Sequence, residues 1–317
     1  MRNITLLLIA VLLSSCWKEE TPIDKQVRAG EQTQSIAMGA TYTEVVWFDL
    51  ATNTVVKERN KLEWDFTIES INNEFIVRLN ESPFLLAATT NQSDLSQDDD
   101  ITNLPYKADE QSGLLDSLAI GKQMNDGTVF ILTRGYDNNG FERTPFFLKL
   151  ITTSDPVQLQ FRQPGTSETF NIPLNIADNE VVAINLDTQS LFELADPKWD
   201  ICFTQYVHIF YEPEYTPYLV TGALQNVDSG VLIKEIRDKN YADVKPEDAI
   251  FTAESAYQDV IGYDWKFFDL EANLYTVDNS VTYLIQDESG RLFKLQFIDF
   301  YNDQGERGYP LFKFEEL

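Results

Sequence analysis

One pattern occurs twice in this chain, in the same order and at nearly the same spacing, and it limits the architectures open to the rest. "VVWFDLATNTVV" (45–56) aligns with "VVAINLDTQSLF" (181–192): Val45 and Val46 face Val181 and Val182, Phe48 faces Ile184, Leu50 faces Leu186 and Thr52 faces Thr188. After a slip of one residue, Trp64-Asp65 falls on Trp199-Asp200. "VFILTRG" (129–135) then matches "TYLIQDE" (282–288), and "FLKL" (147–150) matches "LFKL" (292–295). The same blocks in the same order imply a duplication. Pro164-Gly165 punctuates the chain where the copies would join, which gives halves at 37–165 and 166–317.

The repeated blocks have the period of strands. In "FKLQFID" (293–299), Phe293, Leu295 and Phe297 alternate with Lys294 and Gln296. "DESGR" (287–291) and "DNNGFE" (137–142) are the turn-forming breaks expected between antiparallel strands. The expected class is therefore all-β, with antiparallel sheets and minor helices at 252–261 and 111–121. Each half also carries a long, weakly patterned insert, 81–127 and 211–262, of the kind that forms binding loops.

Charge and leader narrow the function. The formal net charge is −27, a surface that repels nucleic-acid phosphates. The chain opens with one arginine, an apolar run from Ile4 to Leu13, and Leu13-Ser14-Ser15-Cys16. The run is too short to span a bilayer and has the form of a signal peptide (1–16). Its end looks like a lipobox, so Cys16 is the expected lipidation site and the protein is anchored to a membrane rather than spanning it. Trp17-Lys18-Glu19-Glu20 resembles a surface-export signal, and 17–36 reads as a flexible tether. Cys202 has no partner in the mature chain and is expected as a buried free thiol.

A Trp-Asp strand preceded by strand–turn–strand, followed by "IGYDWKFFDLEANLYTVD" (261–278) and "YLIQDESGRLFKLQFIDFYNDQGERGYPLFKFEEL" (283–317), resembles the HmuY family. The second half is the clearer match, and two HmuY-like halves are expected in tandem. The resemblance implies an all-β lipoprotein of the bacterial outer surface that captures haem and passes it to an outer-membrane receptor. It also implies iron held by paired histidines, or in some members methionines, on loops between the Trp-Asp strand and the last hairpin.

This sequence departs from that ligand set. It has one histidine, His208, and outside the leader two methionines, Met38 and Met124, so a bis-histidine site is excluded by counting. Met124 lies roughly where a family ligand could lie. His208 sits on the Trp-Asp strand. Strand parity puts Trp199, Ile201, Phe203, Val207 and Ile209 on a core face and His208 on a mixed face with Asp200, Cys202, Thr204, Tyr206 and Phe210. The candidate ligand-binding residues are thus His208 and Met124, with Tyr206, Phe210, Tyr211 and Tyr215 as an apolar wall. Two functions follow: capture of haem or a similar ligand, or a HmuY-like lipoprotein without haem ligation that contacts another surface protein. Catalysis is not expected, because no nucleophile loop surrounds His208 and no glycine-rich phosphate cradle follows a strand. Zinc lacks ligands, and "SQDDDIT" and "DNNGFE" fall short of a calcium loop.

Overall fold

The computed structural model describes residues 30–98, 100–194 and 198–317. Cys16, the signal peptide and most of the expected tether lie outside the described residues. The chain is all-β and antiparallel. β1 (Gln32–Ser35) precedes a hairpin of β2 (Glu44–Asp49) and β3 (Thr54–Asn60). Next come β4 (Phe66–Ile71), β5 (Glu74–Leu79), β6 (Leu86–Thr89), β7 (Phe130–Thr133), β8 (Phe146–Ile151), β9 (Gln158–Arg162) and β10 (Thr169–Pro173). β11 (Val181–Asn185) and β12 (Ser190–Phe192) make a second short hairpin, followed by β13 (Ile201–Phe210), β14 (Thr216–Gln225) and β15 (Leu232–Ile236). β16 (Lys266–Asp269), β17 (Leu274–Val277), β18 (Thr282–Gln286), β19 (Leu292–Tyr301) and β20 (Arg307–Glu316) complete the chain. The helical expectations at 252–261 and 111–121 shrink to single 3-10 turns at Ala253–Ala256 and Leu115–Ser117.

The turns form as their residues dictate. Asp137 Oδ1 accepts the amides of Asn139 and Phe141, and Gly140 takes φ +82. Asp287 Oδ1 accepts those of Ser289 and Arg291, and Gly290 takes φ +84. Both carboxylates are occupied in stapling their own hairpins. Among the described residues no cluster of three or more His, Cys, Asp or Glu could hold a metal ion.

Two hydrophobic cores result, and they do not follow chain order. The sheets β10-β9-β8-β7-β6 and β12-β11-β4-β5 supply the first, built around Phe66, Phe130, Phe146 and Phe161. The sheets β1-β20-β19-β18-β15 and β14-β13-β2-β3 supply the second, around Phe48, Phe203, Trp265, Phe297 and Phe312. Residues from the end of the expected tether join this second core. Gln32–Ser35 pairs with the edge of β20, and Ile36 and Met38 are buried beside it. Their apolar side chains find cover there, which a polar tether would not need.

The Trp-Asp pairs explain the interleaving. Asp65 N–H donates to Ile184 O (2.7 Å), and its Oδ2 accepts Leu186 N–H (2.9 Å). Asp200 N–H donates to Phe48 O (2.9 Å), and its Oδ2 accepts Leu50 N–H (2.8 Å). Each aspartate thus clamps the hairpin that comes from the other part of the chain. The registers agree as well: Phe66 pairs with Ile184 and Ile201 with Phe48. Asn80 and Asn226 finish the two turns alike, each donating its amide to the carbonyl of the tryptophan, Trp64 or Trp199. Trp47, Trp64 and Cys202 then pack together where the two composite sheets meet, with Trp47 and Trp64 ring centroids 6.0 Å apart.

The clamps differ in charge. Asp65 is fully buried and held by Arg134 (2.7 Å) and Arg143 (3.0 Å), and Arg134 also bonds Asp187. Among the described residues no arginine pairs with Asp200, and Arg291 bonds Asp287 instead.

Candidate functional site

β13 and β14 pair without a break over ten residues, from Ile201↔Gln225 to Phe210↔Thr216. Only Ile201–Phe203 also pair with β2, so the far end of the hairpin runs beyond the sheet. There it is covered from both sides by the two long inserts. On one side Ala108, Phe84 and Leu86 pack on Val207 and Ile209, and Ala108 N–H donates to the Tyr215 hydroxyl (3.1 Å). On the other, residue 262 exchanges both backbone hydrogen bonds with Ala223. Gly222 is required for this approach, because a Cβ there would lie 2.2 Å from the Gly262 carbonyl oxygen. The inserts touch each other through Gln258 N–H and Ser112 O (3.0 Å).

His208 sits at this junction, half-buried. The rings of Phe210 and Tyr263 approach it edge-on, with centroids at 4.9 and 5.0 Å. Its Nδ1 is buried without a hydrogen-bond partner, 3.7 Å from Asp259 Oδ2. Burial pushes the imidazole below its ordinary value, against the opposing charge of Asp264, so it is neutral at pH 7. The acids nearby are pushed the other way. Burial raises Asp259 to about 6 and Asp109 to about 6, the latter against the amides of Ala119 and Leu79 that it accepts. Burial also carries Glu81 well above the carboxylate range, with Asp109 adding to it.

The residues singled out by sequence separate into three groups. Phe210, Tyr211 and Tyr215 do lie together at the exposed end, with Tyr218 (59% exposed) added to them. Phe210 meets Tyr218 at 6.3 Å and Tyr211 meets Tyr215 at 6.2 Å. Tyr206 is not a wall of this surface. It is 1% exposed, packed on Val220 and Leu224, with its hydroxyl buried and unpartnered. The mixed face expected for β13 is therefore buried from Asp200 to Tyr206, half-buried at His208 and exposed at Phe210. Met124 is fully buried in the first core and Met38 in the second. Either would have to leave its core to meet a ligand. Asp259 and Tyr263 went unnoticed in sequence, and only the glycine between them, Gly262, hinted at a close backbone approach. Cys202 is buried and free, and burial holds its thiol far above its ordinary value.

The HmuY protein family matches the sequence over residues 41–314. The chain belongs to the HmuY family. No curated protein matches it. Among solved structures, apo PinO from Porphyromonas gingivitis is similar at 9% identity and TM-score 0.29, covering 91% of this chain and 98% of that one. The apo HmuY analog TFO from Tannerella forsythia is similar at 11% identity and TM-score 0.25, covering 92% and 98%. The family assignment stands on the sequence match.

Haem, the ligand the resemblance to HmuY implies, can be tested against this site. A neutral imidazole whose Nδ1 turns inward toward a carboxylate, with aromatic rings beside it, fits a porphyrin iron held by one axial nitrogen. A paired ligand set does not fit. Both methionines of the described residues are core side chains, and the one histidine is already used.

Proposed function

We propose that this HmuY-family chain is a non-catalytic binding protein, lipidated at Cys16 and held at the outer surface of an outer membrane, that arose by duplication of one β unit. Its binding surface is the far end of the β13–β14 hairpin, where it captures haem or a similar flat apolar ligand with His208 as the sole protein ligand. The carrying observation is the state of His208: a neutral ring with a buried Nδ1 near Asp259, flanked by Phe210 and Tyr263, with the exposed Tyr218 as its cross-strand partner. Delivery to an outer-membrane receptor follows from that role.

A second reading rests on charge. Phe210 and Tyr211 are followed by Glu212 and Glu214, and Asp259 and Asp264 lie behind His208. These acids repel haem propionates and suit contact with another surface protein through the aromatic end. A haem titration of the full chain in detergent separates the two. A saturable Soret shift in the wild type and in Met124→Leu, lost in His208→Ala, supports capture. A response equal to that of an unrelated acidic protein removes haem, and the aromatic end is then a protein-contact surface.

A further inference from the structure

A cleft lies between the backs of the two four-stranded sheets, and none of the described residues lining it belongs to the His208 site. Strand alternation places its walls. Phe66 and Ile68 of β4, Val77 and Leu79 of β5, and Val182 and Ile184 of β11 enter the first core. Thr67, Glu69, Arg78 and Val181 therefore face the other way. On the opposite wall Val46 and Phe48 of β2 enter the second core, which turns Trp47 out of it. Where Ala183 pairs with Thr67, Trp47, Trp64 and Cys202 close the contact between the sheets. One step further along the strands, where Val181 pairs with Glu69, the sheets leave a cleft of about 830 Å3, completed by Leu194, Trp199 and the turn at Asp228.

The lining is reachable, and its charge is one-sided. Val181 is 43% exposed, and Trp199, Leu194 and Glu69 are half-buried. Among the described residues of the lining, four acids (Glu69, Glu180, Glu193, Asp228) face a single base, Arg78. That base is already engaged, donating to the Gly113 carbonyl at 2.9 Å and pairing with Asp228 at 3.3 Å. Glu69 is left without a hydrogen bond among the described residues. Burial, and then the charge of Asp228, raise it above its ordinary value, against the pull of Arg78. A carboxylate crowded by another and short of positive charge is relieved by a cation.

The walls state what kind of cation. Indole faces attract positive charge through the ring quadrupole, more strongly than other aromatic side chains, and Trp47 and Trp199 both line the cleft. Val181 and Leu194 add aliphatic surface suited to an apolar body. An anion would meet four carboxylates, so the cleft does not repeat the His208 site. A neutral apolar ligand would cover Glu69 without matching its charge. The cleft has the size of a small-molecule site, and a net charge of −27 concentrates cations around the whole chain.

We propose that this cleft binds a small organic cation, an ammonium group carried on an apolar or aromatic body, with the ammonium at Glu69 and the body against Trp199, Leu194 and Val181. The ligand touches both four-stranded sheets and so bridges the two cores. The proposal is independent of haem capture at His208.

The test is calorimetric titration of the full chain in a non-ionic detergent at neutral pH. The probes are tryptamine and benzyltrimethylammonium, beside the neutral and anionic indoles tryptophol and indole-3-propionate. Saturable binding of at least one cation at a single site is expected, at least tenfold tighter than tryptophol, with no binding of indole-3-propionate. Glu69→Gln is expected to weaken it at least tenfold. Val181→Lys sets an ammonium beside Glu69, its cross-strand partner, and is expected to abolish binding by supplying the cation from within. Val181 is exposed, so this variant covers the case in which Glu69→Gln melts early. Tryptophol or indole-3-propionate binding as tightly as the cations overturns the proposal, as does absence of binding by both cations. Cation binding unchanged in the two variants also overturns it, since that is the diffuse attraction of an acidic surface. Haem titration of the same variants reads the His208 end separately.

Discussion

At the scale of single residues, the two clamp aspartates make opposite predictions. Asp65 is matched by Arg134, which is 2% exposed, and by Arg143. Replacing Asp65 with Asn leaves a buried guanidinium short of its counter-charge, and the expected loss is about 3–5 kcal/mol in urea unfolding at pH 7. Among the described residues no arginine bonds Asp200, and burial raises it to about 7, opposed mainly by the Leu50 amide. Its folded value lies above its unfolded one, so the folded state holds the proton more tightly. Stability from this group is fully present below about pH 4 and is lost as pH rises through about 7. Asp109 and Asp259, raised to about 6, act in the same direction. The melting temperature is therefore expected to fall between pH 5 and pH 7, below the range where the buried Lys266, lowered to about 7, acts the other way, and Asp200→Asn is expected to flatten that slope. A melting temperature that rises over this interval in the wild type would contradict the assignment.

At the scale of elements, the close approach of β14 to the strap carrying Asp259 and Tyr263 depends on Gly222. Gly222→Ala places a methyl group against the Gly262 carbonyl oxygen and is expected to cost about 1–3 kcal/mol. The His208 imidazole should titrate closer to its ordinary value as the strap lifts, which NMR titration of the single histidine reads directly. Asn80 ties the end of the β4–β5 hairpin to the carbonyls of Lys61 and Trp64, both at 2.8 Å. Asn80→Ala strands these acceptors in a buried turn, and about 2 kcal/mol of lost stability is expected from denaturant unfolding. The element scale also shows how far sequence patterns reach. The period of two in 293–299 and the Asp-Gly turns at 137–142 and 287–291 name strands and hairpins, because alternation and turn chemistry are local. The covering of Tyr206 and the meeting of Ser112 with Gln258 are not local, and no pattern in either insert announced them.

At the scale of the molecule, the arrangement of the two cores predicts how the chain divides. Residues 62–194 contain every strand of the sheets β10-β9-β8-β7-β6 and β12-β11-β4-β5. This fragment is expected to fold alone, with dispersed NMR amide signals and a cooperative melt. Residues 166–317 lack β1, β2 and β3 and leave Phe203, Phe297 and Phe312 without Phe48 and Val46. That fragment is expected to stay unfolded or aggregate until residues 30–61 are supplied as a peptide. The class of fold, the repeated Trp-Asp motif, the acidic balance and the family are legible along the chain, because each is written in period, composition or short motif. Long-range packing sets which hairpin each aspartate clamps, buries Met38 and Met124 in cores, and brings Asp259 and Tyr263 beside His208. Those outcomes depend on contacts between residues far apart in the chain, as in Leu50 with Asp200 or Met38 with Gly308, and such contacts are chosen by which apolar surfaces can cover one another.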